Sequence, residues 1–131
     1  MTEVSSVDAP EAIGPYSQAI RYDQSGHLLF LSGQVPIVPA TGEIVPRDVT
    51  AQAHQVLKNL AAVLKAGGSS FEQVIKTTIF LTTMDHFTAV NQVYSQYFAK
   101  PYPVRATVAV KELPCGALVE IDAIAYAKNK G

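Results

Sequence analysis

The 131-residue chain has one cysteine, Cys115, which excludes an internal disulfide and fits a reducing compartment. It has no apolar run of about 18 residues, the length that spans a bilayer as a helix. The opening stretch, MTEVSSVDAPEAIGPYSQ, lacks the charged-then-apolar pattern of a secretory signal. Charge is also scarce: Asp, Glu, Lys and Arg make up 16% of the residues, against about 25% in average soluble domains. Ten basic residues face eleven acidic ones, a net charge of −1. The basic residues are scattered, and no stretch interleaves them with aromatics, so the electrostatic footprint of a nucleic-acid binder is missing. His27, His54 and His86 lie far apart, with no HExxH or CxxC spacing, and no glycine-rich phosphate loop follows a strand. The expectation is a cytoplasmic protein with no metal, no nucleotide cofactor, and no membrane or nucleic-acid partner.

What the chain does have is apolar residues: 48% of the total, with a mean hydropathy of +0.15. Its length suits a single domain, 1–131, able to bury roughly two-thirds of its unfolded surface. A small domain so poor in charge exposes apolar surface, and such surface is usually covered by a partner. A homo-oligomer is expected.

The first 18 residues are turn-rich. QAIRYD (18–23) alternates polar and apolar residues, the strand period. A turn at Gln24-Ser25-Gly26-His27 then predicts that LLFLSG (28–33) returns antiparallel as a buried strand. The segment PIVPATGEIVPRD holds too many prolines for a central strand. From Val49 the period becomes helical, with Ala53, Val56, Leu57, Leu60, Val63 and Leu64 on one stripe. Asp48 or Thr50 can cap that helix, and Gly67-Gly68 ends it. QVIKTTIFLTT (73–83) reads as a central strand. Asp85 is expected to cap a second helix, whose stripe is Phe87, Val90, Tyr94, Tyr97 and Phe98. VRATVAV (104–110), the loop KELPCGA and LVEIDAIAY (118–126) complete a β-β-α-β-α-β-β order. This predicts an α+β fold, a mixed sheet with both helices on one face and hairpins at either end. The other sheet face is left for subunits to cover.

Two charged residues sit inside strands, Arg105 in VRATVAV and Glu120 in LVEIDAIAY. Read as neighbouring strands, these place an Arg and a Glu either as a cross-strand ion pair or as a working pair. In the second case Arg105 holds a substrate carboxylate with its fork of donors, and Glu120 is a general base toward water. The turn Gly14-Pro15-Tyr16-Ser17 gathers hydroxyls, and Ser32-Gly33-Gln34 ends a strand where a glycine admits a close neighbour. Asn91 reads as lying roughly opposite the Phe87–Tyr94 stripe, a solvated position. Cys115, in a Pro-Gly loop without a nearby histidine, reads as an inert or surface thiol.

GPYSQAI, LFLSGQVP and PVRATVAVKELPCGALVEIDAIA, in this order and spacing, resemble the RidA/YjgF family of reactive-intermediate deaminases over essentially the whole chain. The resemblance implies a chorismate-mutase-like α+β fold assembled as a homotrimer with clefts between subunits. It implies hydrolysis of 2-imino acids and their enamine tautomers to 2-oxo acids and ammonia, without a cofactor. Such imines are released by pyridoxal-phosphate enzymes such as threonine and serine dehydratases, with which no stable complex is needed. By motif, Arg105 matches the family's substrate-carboxylate arginine and Glu120 the acid that positions or activates water. Tyr16, Ser32, Gly33, Asn91 and Thr107 match further cleft positions. Thr107 stands where many relatives carry Cys, and Cys115 where the family often has Lys. Two other readings remain: a non-catalytic trimer that binds small carboxylates as a sensor or chaperone, and a ribonuclease or translation inhibitor, which the charge balance disfavours.

Overall fold

The computed structural model describes residues 1–23 and 25–128. In chain order its elements are β1 (Thr2–Val4), β2 (Ala19–Arg21), β3 (His27–Gln34), β4 (Ile37–Val38), β5 (Glu43–Ile44), α1 (Val49–Ala66), β6 (Val74–Leu81), α2 (Phe87–Tyr97), β7 (Val104–Ala109) and β8 (Val119–Ala127). Two helices lie against a mixed four-stranded sheet ordered β3-β8-β6-β7, an α+β arrangement.

Local chemistry sets the helix ends. The Asp48 carboxylate accepts from the N–H groups of Thr50 and Ala51 at 3.0 and 3.3 Å, which caps α1. Gly67 closes the last turn by donating to the carbonyls of Val63 and Leu64, and Gly68 leaves the helix at φ +75°. The second helix starts differently from the expectation. Thr83, not Asp85, supplies the capping hydroxyl, accepting from the Asp85 N–H at 3.1 Å. This cap opens a single 3-10 turn, Met84–His86, which runs into α2.

The two-residue strand period then sorts the sheet into two faces. Across β6 and β8, Thr77 pairs with Ala123, Ile79 with Ile121 and Leu81 with Val119. These residues are buried against Val56, Leu57, Leu60 and Leu64 of α1 and Val90 and Tyr94 of α2. The alternate rows, Phe80 with Glu120 and Thr78 with Asp122, point to the opposite face. Neither helix covers that face, and Phe30 is 70% and Val108 43% exposed on it.

Several expectations are corrected. The strand at 19–21 pairs with β1, not with β3, and β3 pairs with β8. The turn expected at Gln24–His27 includes Gln24, which lies outside the described residues. The segment LLFLSG is buried on one side only in this chain: Leu31 is buried and Leu29 packs against the core, while Leu28 and Phe30 are exposed. Nor do β7 and β8 form a hairpin, because β6 lies between them, parallel to β7 and antiparallel to β8. The α2 connection places β7 on one edge of β6. The loop after β7 is long enough to cross roughly 10 Å, two strand spacings, and deliver β8 to the other edge. The same insertion of β8 separates β3 from β6, which α1 connects. On α1, Val63 is 37% exposed and the fully buried neighbour of the stripe is instead Gln52.

Gln52 acts as a clamp. Its amide nitrogen donates to the Val45 carbonyl at 3.0 Å, and its oxygen accepts from the Leu118 N–H at 2.8 Å, just before β8. Gln52→Leu would leave both backbone groups buried without partners. The expected loss is about 1–3 kcal/mol of unfolding free energy, measured by urea denaturation.

Candidate active site

β7 is an edge strand, and Arg105 sits beside Thr77 in its parallel ladder with β6. Thr77 is on the helix face, so Arg105 and, two residues on, Thr107 point the same way, toward α2. There the Arg105 Nη1 donates to the Asn91 Oδ1 at 2.8 Å. Three rings surround the guanidinium, whose carbon lies 5.1 Å from the Tyr94 centroid, 5.4 Å from Tyr16 and 5.9 Å from Phe87. Tyr16 arrives on the turn at Gly14–Ser17, where the Tyr16 N–H donates to the Gly14 carbonyl at 2.8 Å. Ser17 docks that turn on the segment leading into β7, its N–H donating to the Pro103 carbonyl and its hydroxyl to the Tyr102 carbonyl.

Burial holds the Arg105 pKa below the usual guanidinium value, and Tyr94 and Tyr16 pull it back up. A guanidinium remains charged at neutral pH regardless. Among the described residues Arg105 makes no ion pair. Aromatic faces replace part of its lost hydration, an effect of about 0.5–2 kcal/mol per well-placed ring. Asn91 uses one of five N–H donors, which leaves a planar fork matched to a carboxylate. The Thr107 hydroxyl is buried on the same face and has no hydrogen-bond partner among the described residues.

Glu120, Ser32 and Gly33 make a second cluster. The β3–β8 ladder shifts between Leu31 and Gln34, so Ser32 and Gly33 bulge out of register. The bulge lays Gly33 directly against Glu120: a Cβ on this glycine would fall 2.2 Å from the Glu120 Oε2. No residue with a side chain fits there unless the glutamate moves. Glu120 has its pKa raised above the usual carboxylate range, first by burial and second by the neighbouring Asp122.

The two clusters do not meet within one chain. Arg105 is level with Thr77 and Glu120 with Phe80, on opposite edges of β6 and on opposite faces of the sheet. They are roughly 10 Å apart along the strands and roughly 10 Å apart across them. The cross-strand ion pair is therefore ruled out for a single copy. Asn91 also departs from its expected solvated position. Four residues after Phe87 at about 100° each is a rotation of 40° from it, which puts Asn91 beside the stripe, not opposite. Phe87 and Tyr94, expected only as core, contribute to the arginine's surroundings; the signal for them was their i, i+4 and i, i+3 spacing from Asn91. Cys115 is exposed in a short 3-10 turn. Among the described residues no group of three or more His, Cys, Asp or Glu could hold a metal ion, and no helix is long and apolar enough to cross a membrane.

Comparison with known proteins shows the family. The family described as Endoribonuclease L-PSP matches residues 6–127. The chain belongs to that family, the RidA/YjgF family. Protein DfrA of Myxococcus xanthus is 55% identical over 122 residues, 93% of this chain and 92% of that protein. The 2-iminobutanoate/2-iminopropanoate deaminase of Mus musculus is 47% identical over 122 residues, 93% of this chain and 88% of that one. The crystal structure of YyfA, a protein of the conserved Rid family from Yersinia pestis, superposes with a TM-score of 0.75 at 46% identity, covering 96% of this chain and 98% of that one.

The contact between Gly33 and Glu120 can be tested directly. Gly33→Ala should swing the Glu120 carboxylate out toward water, because its far end is the part that can give way. Less burial means less desolvation, so the raised pKa should fall toward the ordinary glutamate value. A carbon-13 titration of the Glu120 carboxyl measures this, and an unchanged midpoint would contradict it.

Proposed function

We propose that the protein is a cytoplasmic, cofactor-independent homotrimer that hydrolyses 2-imino acids to 2-oxo acids and ammonia. The observation that carries this reading is Arg105, a half-buried cation whose fork is oriented by Asn91 and aromatic faces and is matched by no carboxylate among the described residues. The neutral hydroxyl of Thr107 on the same face suits a further contact to a carboxylate oxygen. The name of the mouse relative supports the imine as substrate.

Because Arg105 and Glu120 face opposite ways, the cleft is built from two copies. The helix-side face of β7, with Arg105, Thr107, Asn91 and Tyr16, comes from one copy. The uncovered face of β3 and β8, with Ser32, Gly33 and Glu120, comes from the next. Three is the number of copies that the resemblance to the RidA family implies.

In the reaction Arg105 binds the substrate carboxylate, leaving the protonated imine carbon facing Glu120. Glu120 takes a proton from a water as its oxygen bonds to that carbon, giving a carbinolamine. Returning the proton to nitrogen breaks the C–N bond, and loss of the hydroxyl proton leaves the 2-oxo acid and ammonium. The imine is already electrophilic, so positioning and one proton shuttle suffice. Dehydratases that use pyridoxal phosphate supply the imine by diffusion.

Sedimentation equilibrium should give about three times the 14.1 kDa chain mass at micromolar concentration. A monomer there would overturn the two-copy cleft. Arg105→Lys keeps the charge but loses the fork, and should weaken 2-oxo acid binding roughly ten- to hundredfold, about 1.5–3 kcal/mol. Glu120→Gln should lower kcat by roughly a hundredfold or more while 2-oxo acid binding holds or tightens. Tight binding of 2-oxo acids without accelerated imine hydrolysis by the unmodified protein would favour the non-catalytic carboxylate binder.

A further inference from the structure

We propose that Tyr94 is a positioning residue for Arg105, acting through its hydrogen bond to Thr77. The inference rests on the carboxylate-receiving role proposed for Arg105.

Tyr94 and Thr77 are both fully buried, and their side-chain oxygens are 2.9 Å apart. Thr77 is the residue beside Arg105 in the β6–β7 ladder. The phenol therefore bridges α2 to the sheet at the level of the arginine. Its ring stacks with Phe98 at a centroid distance of 4.2 Å and an interplanar angle of 22°. The guanidinium carbon lies over the same ring at 5.1 Å, the shortest of its three aromatic approaches.

Asn91 is three residues before Tyr94, on the same side of α2. Asn91 and Tyr94 thus support the guanidinium from one helical turn, and the Tyr94–Thr77 bond ties this turn to the strand next to β7. A long arginine side chain loses rotamer freedom when it clamps a carboxylate, unless its fork is already held. Burial pushes the Tyr94 phenol up to about 12. It is neutral near pH 7, so it supplies a surface and a hydroxyl rather than a charge.

A tyrosine that merely filled the core would influence stability and leave ligand affinity alone. Tyr94→Phe keeps the ring and its stacking and removes only the hydroxyl. It should raise the KM for the imine and the dissociation constant for 2-oxobutanoate by the same factor, about two- to tenfold, with kcat unchanged. Thr77→Val removes the partner and should do the same, while Thr77→Ser restores the hydroxyl and should restore the affinity. Nitrogen-15 relaxation of the Arg105 Nε–H should show a more mobile guanidinium in Tyr94→Phe and Thr77→Val. If Tyr94→Phe fails to fold, the threonine pair carries the test. Unchanged KM, affinity and Arg105 mobility in these variants, with or without a lower Tm, would overturn this inference alone. An unmodified protein that binds no 2-oxo acid would overturn it together with the proposed function.

Discussion

Keeping the charge of Arg105 half out of water, with no carboxylate beside it among the described residues, constrains much of the surrounding structure. A buried cation is tolerated only where dipoles or polarizable faces replace its hydration. Here those come from two separate parts of the chain: Asn91, Tyr94 and Phe87 on α2, and the Tyr16 turn. Each has its own anchor. Ser17 ties the turn to the segment before β7, and Thr77 ties α2 to β6. The arginine is therefore held where a carboxylate would complete it, at the edge of the sheet and beneath a helix.

The second constraint is the period of two along a strand. It requires β8 to alternate between a buried row, Val119, Ile121, Ala123 and Ala125, and an open row that includes Glu120 and Asp122. The same period places Arg105 and Thr107 on the helix side of β7. A one-residue slip of β8 would bring Glu120 to the helix side, at the cost of exposing its whole apolar row. The opposed orientation of the arginine and the glutamate thus follows from the core, and a cleft using both must lie between copies.

Much of this was readable from local pattern. The cap at Asp48, the stripe from Ala53 to Leu64 and the stop at Gly67 depend on residues close together in the chain, and so does the strand character of 74–81. The charged residues inside strands stand out in the sequence because such positions are costly for charge. Strand order was not readable in the same way. Whether β8 pairs with β7 or with β6 depends on competition between segments some 40 residues apart, and the loop after β7 permits either. The first hairpin failed for a related reason, since β1 offers Ala19–Arg21 a partner that a three-residue strand scarcely announces. Asn91 was a matter of angle: four residues bring a helix nearly full circle, so a polar residue among Phe87 and Tyr94 shares their side.

The opposite faces also have an electrostatic meaning. In one chain, burial works against both charged forms, lowering the Arg105 pKa and raising that of Glu120. Under the proposed assembly each meets charge of the other sign across the interface, and the effect of burial is offset on both sides. A 2-imino acid protonated on nitrogen carries a negative carboxylate at one end and a positive iminium at the other. Its carboxylate suits Arg105 and its iminium suits Glu120, so the proposed substrate is complementary to both halves of the proposed cleft. Hydrolysis removes the positive end. In the proposed reaction the 2-oxo acid would keep its contact with Arg105 and lose its attraction to Glu120, which would then repel the remaining anion. Turnover by this scheme needs no moving lid, because the reaction itself weakens one of the two contacts that held the substrate.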